Sequence, residues 1–218
     1  MNADSKEHLT SVAATLAGGA GTFAGAAGAH SVSTDTKAHL GQSEVTEAGD
    51  VSVTAKDETE LKTVAGSGAA SGNTGVGLTA AVEVVNKKAS AIVGDDVKVT
   101  GSSLTVKAEN TSSSVTSAAG LGAGGTAGLA GAASETFVKQ ETDAHVGKNA
   151  KVTVKKGAEI LDDSKFTQGA AAGSIGAAGT VGMGLTNSTV SFTGDTAAYA
   201  DENAVIDGGE KSIFPQPS

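Results

Sequence analysis

The residues of this chain whose types can bind a metal or move a proton are four histidines, His8, His30, His39 and His145, and two carboxylate pairs, Asp95-Asp96 and Asp162-Asp163. Calcium prefers such oxygen ligands, but neither pair lies in an EF-hand loop, and the Gly-Gly-x-Gly-x-Asp nonapeptide of calcium β-rolls is absent. A solvated acidic turn is the simpler reading of both. His39 and His145 share a recurring position whose other members are Ile92 and Ala198, so that position tolerates apolar side chains and points to no ligand or base. There is no cysteine and no Gly-x-Ser-x-Gly elbow to supply a nucleophile. The glycine run Gly122–Gly128 completes neither a dinucleotide fingerprint nor a phosphate loop with its lysine. Asn110-Thr111-Ser112 and Asn187-Ser188-Thr189 match the glycosylation acceptor pattern and nothing more. No catalytic, cofactor-binding or metal-binding residue is assigned, no cofactor is expected, and the chain is not expected to be an enzyme.

Elements that could position a site must be built from unusual material. The chain has 218 residues, 31 of them Gly, with 3% aromatics and no Trp. Much of its 39% hydrophobic content is Ala, which buries little area, so stability must come from many small contacts and from backbone hydrogen bonds. The net charge is −9, and all 15 basic residues are Lys. Without Arg the chain lacks the bidentate reader of phosphates and bases, and nucleic acid is not an expected partner. The absence of Cys excludes a disulfide framework. No signal peptide is visible, and the uncharged stretch Ser117–Ala133 is only about the minimum length of a membrane span and rich in Gly.

The strongest signal is a repeat. Ala38-His39-Leu40-Gly41, Ala91-Ile92-Val93-Gly94, Ala144-His145-Val146-Gly147 and Ala197-Ala198-Tyr199-Ala200 follow one another at 53 residues. The rows are 8–60, 61–113, 114–166 and a shorter 167–209, between an N-terminal tail 1–7 and a C-terminal tail 210–218. Leu40, Val93, Val146 and Tyr199 are expected to be equivalent inward sites, and Gly19, Gly72, Gly125 and Ala178 form a small-residue column. Val99, Val152 and Val205 form another. Ala158 and Ile160 lie one place later than Leu104 and Val106 predict, with register expected to return by Gln168.

Within a row the period is two. Val76, Leu78, Ala80, Val82 and Val84 share one face, and Val97–Ala108 reads as two short strands around Thr100-Gly101-Ser102-Ser103. Both prolines, Pro215 and Pro217, lie at the end, so no ladder is interrupted before them. Recurring glycines imply close backbone approach or turns with positive φ. The fold predicted is all-β, an elongated β-solenoid resembling a parallel β-helix and forming one rod over residues 8–209, with coils of about 18 or about 26 residues. A stacked array of antiparallel hairpins turning at Ser71–Gly75 is the alternative. As a fragment it is expected to be a monomer or a weak end-to-end oligomer, with Phe214 and the prolines able to fold over one end.

The segment from Gly68 to Asn110, "GAASGNTGVGLTAAVEVVNKKASAIVGDDVKVTGSSLTVKAEN", and its relative "GGTAGLAGAASETFVKQETDAHVGKNAKVTV" (Gly124–Val154) resemble the repeats of large filamentous adhesins and leukotoxin-type exoproteins of Gram-negative anaerobes such as fusobacteria. The resemblance covers most of residues 8–209. It implies a type V secretion passenger exported through an outer-membrane barrel and found at the cell surface or secreted. Its partner would be a receptor on a host or bacterial surface. The implied role is structural and adhesive; a leukotoxin-like action on host cells is the alternative, and a β-helix polysaccharide-processing enzyme a more distant one.

Overall fold

Strand pairing in the computed structural model, which describes residues 1–41, 44–209 and 212–213, is parallel throughout, and the described chain is 90% strand with no helix. The strands are β1 (Asn2–Leu40), β2 (Glu44–Val93), β3 (Lys98–Gly124), β4 (Ala127–Val146), β5 (Lys151–Ala178), β6 (Val181–Ala200), β7 (Val205–Asp207) and β8 (Ser212–Ile213). Thr74 pairs with Ala127 and Val93 with Val146, so the neighbour of each strand is its counterpart one repeat later. One repeat is therefore one coil of a β-solenoid, not two or three.

Each coil is a flattened loop with two long arms. The first arm comprises Asn2–Gly19, Asp50–Ser71, Ser103–Gly124 and Gly157–Ala178, and the second comprises Gly21–Leu40, Thr74–Val93, β4 and β6. The arms of one coil meet through side chains: Thr63 Oγ1 donates to Glu83 Oε1 at 2.6 Å, and the hydroxyls of Ser67 and Thr79 lie 2.7 Å apart. In a hairpin the two arms would share backbone hydrogen bonds, but here those bonds run to the coils on either side, which excludes the hairpin array. Short segments such as Lys98–Gly101 close the wide end. There Val97 and Val99 pack with Val93, Val146, Leu104, Val106 and Ile160.

Side-chain size sets the spacing of the arms. Behind the Val/Leu/Ile core of the wide end come Leu61, Val85 and Val138, then an alanine layer of Ala65, Ala81, Ala118 and Ala132. Beyond it lie glycines. A Cβ at Gly75, Gly77, Gly122 or Gly124 would overlap a backbone carbonyl of Ala123, Leu121, Leu129 or Ala127 respectively. These four glycines are thus there for close backbone approach, and the cross-section tapers to a thin edge. Of the expected glycine column, Gly125 also meets a carbonyl, that of Gly72, whereas Gly72 itself has open space around a would-be Cβ. A 20-residue arm such as β4 runs about 66 Å, whereas four coils rise only ~19 Å. The segment is a blade with its long dimension across the solenoid axis, and a rod would emerge only as coils accumulate.

Register departs from the 53-residue expectation at three corners. Asn2–Gly19 pair at an offset of 52, so Gly19 pairs with Ser71 rather than Gly72, and Glu44 and Val45 pair at 54 before the ladder returns to 53 at Ala48. At the corner between Gly101 and Ser103 the third coil gains a residue, so Ser103 pairs with Gly157, and the offset of 54 then persists through Ala178 and through β6. The expected return by Gln168 does not occur. Val146 pairs with Ala200 rather than with the position of Tyr199, and Val152 pairs with Ile206 rather than Val205. Gly179, not Ala178, bonds to Gly125. A corner absorbs an extra residue because its backbone is already irregular, and nothing downstream forces a compensating deletion. Residues 2–7 belong to β1, paired with Thr54–Thr59. Phe214, Pro215 and Pro217 lie outside the described residues.

Candidate functional site

Alternation in a strand sends neighbouring side chains to opposite faces, and this dissolves most of the candidate clusters. Asp163 faces outward and meets Lys165 at 2.9 Å, while its neighbour Asp162 turns to the other face. Asp95 and Asp96 form the exposed turn that returns the second coil to the wide end, with Asp96 at φ 59°. Their carboxylates are structural: Asp95 Oδ1 accepts from the Lys148 amide at 2.8 Å and Asp96 Oδ1 from Asn149 Nδ2 at 3.2 Å, linking two stacked turns. The next turns place Asn149 and Asn203 at φ 56° and 59°, so the same left-handed position recurs in the second, third and fourth coils. Among the described residues no group of three or more His, Asp or Glu converges as a metal site would require.

His8 lies on the outer face of the first arm, with Nε2 3.4 Å from Glu60 Oε2. His30 pairs with Glu83 and faces the interior, and only His39 and His145 face outward from the second arm. His145 Nδ1 is 2.9 Å from Asp143 Oδ2, and its ring stacks on Tyr199 at 5.0 Å, a contact created by the shifted register. Burial, then nearby Asp143 and Asp201, raises the Tyr199 phenol above its ordinary value. His39 pairs with Ile92 in the ladder. Asn110 is fully buried between the arms and is closed to glycosylation in the folded chain, whereas Asn187 lies exposed on β6.

Two features were not read from the sequence. The first is an inversion of polarity on the arms. The apolar run Val76, Leu78, Ala80, Val82 and Val84 faces outward, and its alternate residues, including Glu83, face the interior. On the first arm the outward set toward the thin edge includes Val12, Leu16, Val115, Leu121 and Ile175. Leu16 is 88% exposed and Ile175 65%. Outward residues from Val64 to Ala70 and from Val115 to Ala123 carry no charge. The charges collect toward the wide end, in the ladders Lys6–Glu58 (3.2 Å), Lys56–Glu58 (2.6 Å) and Lys139–Glu141 (2.6 Å). Hydrogen bonding and charge from the lysines hold Glu58 and Glu141 below the ordinary carboxylate range. The thin half of the blade therefore presents uncharged apolar surface on both sides.

The second feature is a set of buried polar lanes crossing from arm to arm. Asp57 and Lys87 form an ion pair at 2.6 Å with both side chains closed to solvent. Burial pulls the Lys87 ammonium below its ordinary range, with Asp57 opposing the shift. One coil on, the same lane holds neutral groups, with Gln140 Nε2 donating to Ser112 Oγ at 2.5 Å and to Asn110 Oδ1 at 3.4 Å. Closer to the edge, Glu83 accepts from Thr63 and from Ser114, and Thr116 meets Thr136 at 2.8 Å. These bonds offset much of the desolvation penalty of the buried polar groups, although Asn110 Nδ2 is buried without a hydrogen-bond partner among the described residues.

No family model, curated protein or solved structure matches the chain.

Proposed function

We propose that this chain is a structural and adhesive segment of a longer bacterial surface or secreted fibre, whose outer apolar strip engages a receptor on a host or bacterial surface. The observation that carries the reading is the uncharged apolar outer surface of the thin half of the blade. A monomer rarely leaves a contiguous apolar face uncovered, and such a face marks an interaction surface. Nearest the thin edge the strip repeats in register, with Phe23, Val76, Leu129 and Met183 in one column, so a fibre of many coils would offer many copies of a weak site and bind by avidity. The resemblance to filamentous adhesin repeats supports the same reading and brings with it export through an outer-membrane barrel.

The test is retention of the labelled chain on host cells and on bacteria, compared with a Leu78→Lys, Leu121→Lys variant. Both leucines are about half exposed, so the variant keeps its fold. Saturable retention lost in the variant supports the reading. No retention, or equal retention of the two proteins, refutes it.

A further inference from the structure

We infer that Asp57 and Lys87 are the precursors of an intramolecular amide cross-link, joining the two arms of the second coil through Lys87 Nζ and Asp57 Cγ.

Nucleophile and carbonyl are already held together. Lys87 Nζ lies 2.6 Å from Asp57 Oδ1, and neither side chain has any exposure to solvent. The other carboxylate oxygen, Oδ2, accepts from Thr36 Oγ1 at 3.1 Å, which fixes the plane of the carboxyl group. The lysine is steered from the far side as well, donating to the Thr111 carbonyl at 3.0 Å and the Asp57 carbonyl at 3.4 Å. Orientation of this kind turns an amine and an acid into a unimolecular pair.

Their environment favours the neutral product. Two desolvated charges carry a large penalty that their attraction only partly offsets, and amide formation removes both charges. Burial already pulls Lys87 toward the free amine that nucleophilic attack requires. The adjacent coil fills the same lane with Asn110 and Gln140, which shows that the fold tolerates neutral groups there and does not require an ion pair.

The carboxyl group is also anchored to a second carboxylate through a hydroxyl. Thr59 Oγ1 is 3.5 Å from Asp57 Oδ1 and 2.9 Å from Glu7 Oε2, and Glu7 comes from the neighbouring coil. The step balances without any co-reactant. The ammonium passes one proton to the carboxylate, and the nitrogen lone pair forms the N–C bond to Cγ. A second proton then moves from nitrogen to the departing hydroxyl, whose oxygen is held by Thr59, itself bonded to Glu7. The C–O bond breaks, one water leaves, and nothing is oxidised or reduced. Glu7 is a positioning residue in this scheme, acting on the carboxyl group through Thr59.

The experiment is intact-mass spectrometry of the full chain, purified folded and then denatured. The expected mass is lower than the sequence mass by one water, and proteolysis should yield a branched peptide joining the Asp57 and Lys87 segments. Asp57→Ala and Lys87→Ala should restore the full sequence mass. Asp207-Gly208 can also lose water as a succinimide, so water loss that persists in Asp57→Ala, or that appears without the branched peptide, overturns the proposal. A folded wild-type chain that keeps its full mass after long incubation overturns it too. Glu7→Gln should leave the circular dichroism unchanged and slow the water loss at least tenfold; an unchanged rate removes Glu7 from the scheme. If the alanine variants fail to fold, the wild-type mass and the branched peptide still decide the question.

Discussion

Gly122 faces Leu129 across the thin edge of the blade so closely that a Cβ on the glycine would overlap the leucine carbonyl oxygen. The obstruction is backbone, which cannot rotate away as a side chain would. Gly122→Ala should therefore destabilise by about 3 kcal/mol or more. Gly173 has no atom within 4 Å of its would-be Cβ, and Gly173→Ala should be neutral or stabilise by up to ~1 kcal/mol. Urea unfolding of both variants tests the taper; comparable losses would contradict it.

Phe166 and Phe192 stack between the arms of the last coil with ring centroids 4.7 Å apart. A double-mutant cycle with alanine at both positions should show coupling of about 0.5–1.5 kcal/mol. This contact depends on the extra residue at the corner before Gly157, which sets the inward face of everything after it. Additive losses from the two substitutions would mean that the register slip is misplaced.

At the wide end, Asn149 has φ 56° and donates to Asp96 at 3.2 Å. Asn149→Ala should lose about 1–2 kcal/mol from left-handed strain. Asn149→Gly should recover most of that loss, because glycine lacks the Cβ that causes the strain. Thermal melts of the pair provide the check, and a glycine variant as weak as the alanine variant would assign the effect to the side-chain bond alone.

The outer ladders predict a shallow pH dependence. Lysine hydrogen bonds lower Glu58 and Glu141 from the ordinary 4.5, so their contribution is present above that pH and fades as pH falls through the lower folded value. The partners Lys56 and Lys139, raised from 10.5 by the same contacts, contribute below that pH and lose it as pH rises through the raised value. Stability from these pairs should be flat between those limits, and high salt should reduce it because the groups are exposed. Denaturation midpoints from pH 3 to pH 7 at low and high salt test this; an acid loss unaffected by salt would place its origin in the buried lanes.

The sequence by itself carried the repeat, the strand character and the stacking of repeats, because small residues recurring at one interval with a local period of two leave few other solutions. Of the glycine column it marked, Gly125 does sit against a backbone carbonyl, whereas Gly72 does not. What it left open was which way each strand faces. Apolar residues occupy both faces of Val76–Val85, and a shift of one residue exchanges inside for outside, so alternation alone placed Tyr199 inward where the structure puts Ala200. The buried lanes were equally hidden. Asp57 meets Lys87 because the chain turns at residues 72–73, midway between them, and only the three-dimensional path of the arch decides which residues face each other. Local periodicity reports the pleat of a strand, whereas facing partners are fixed by where the chain folds back.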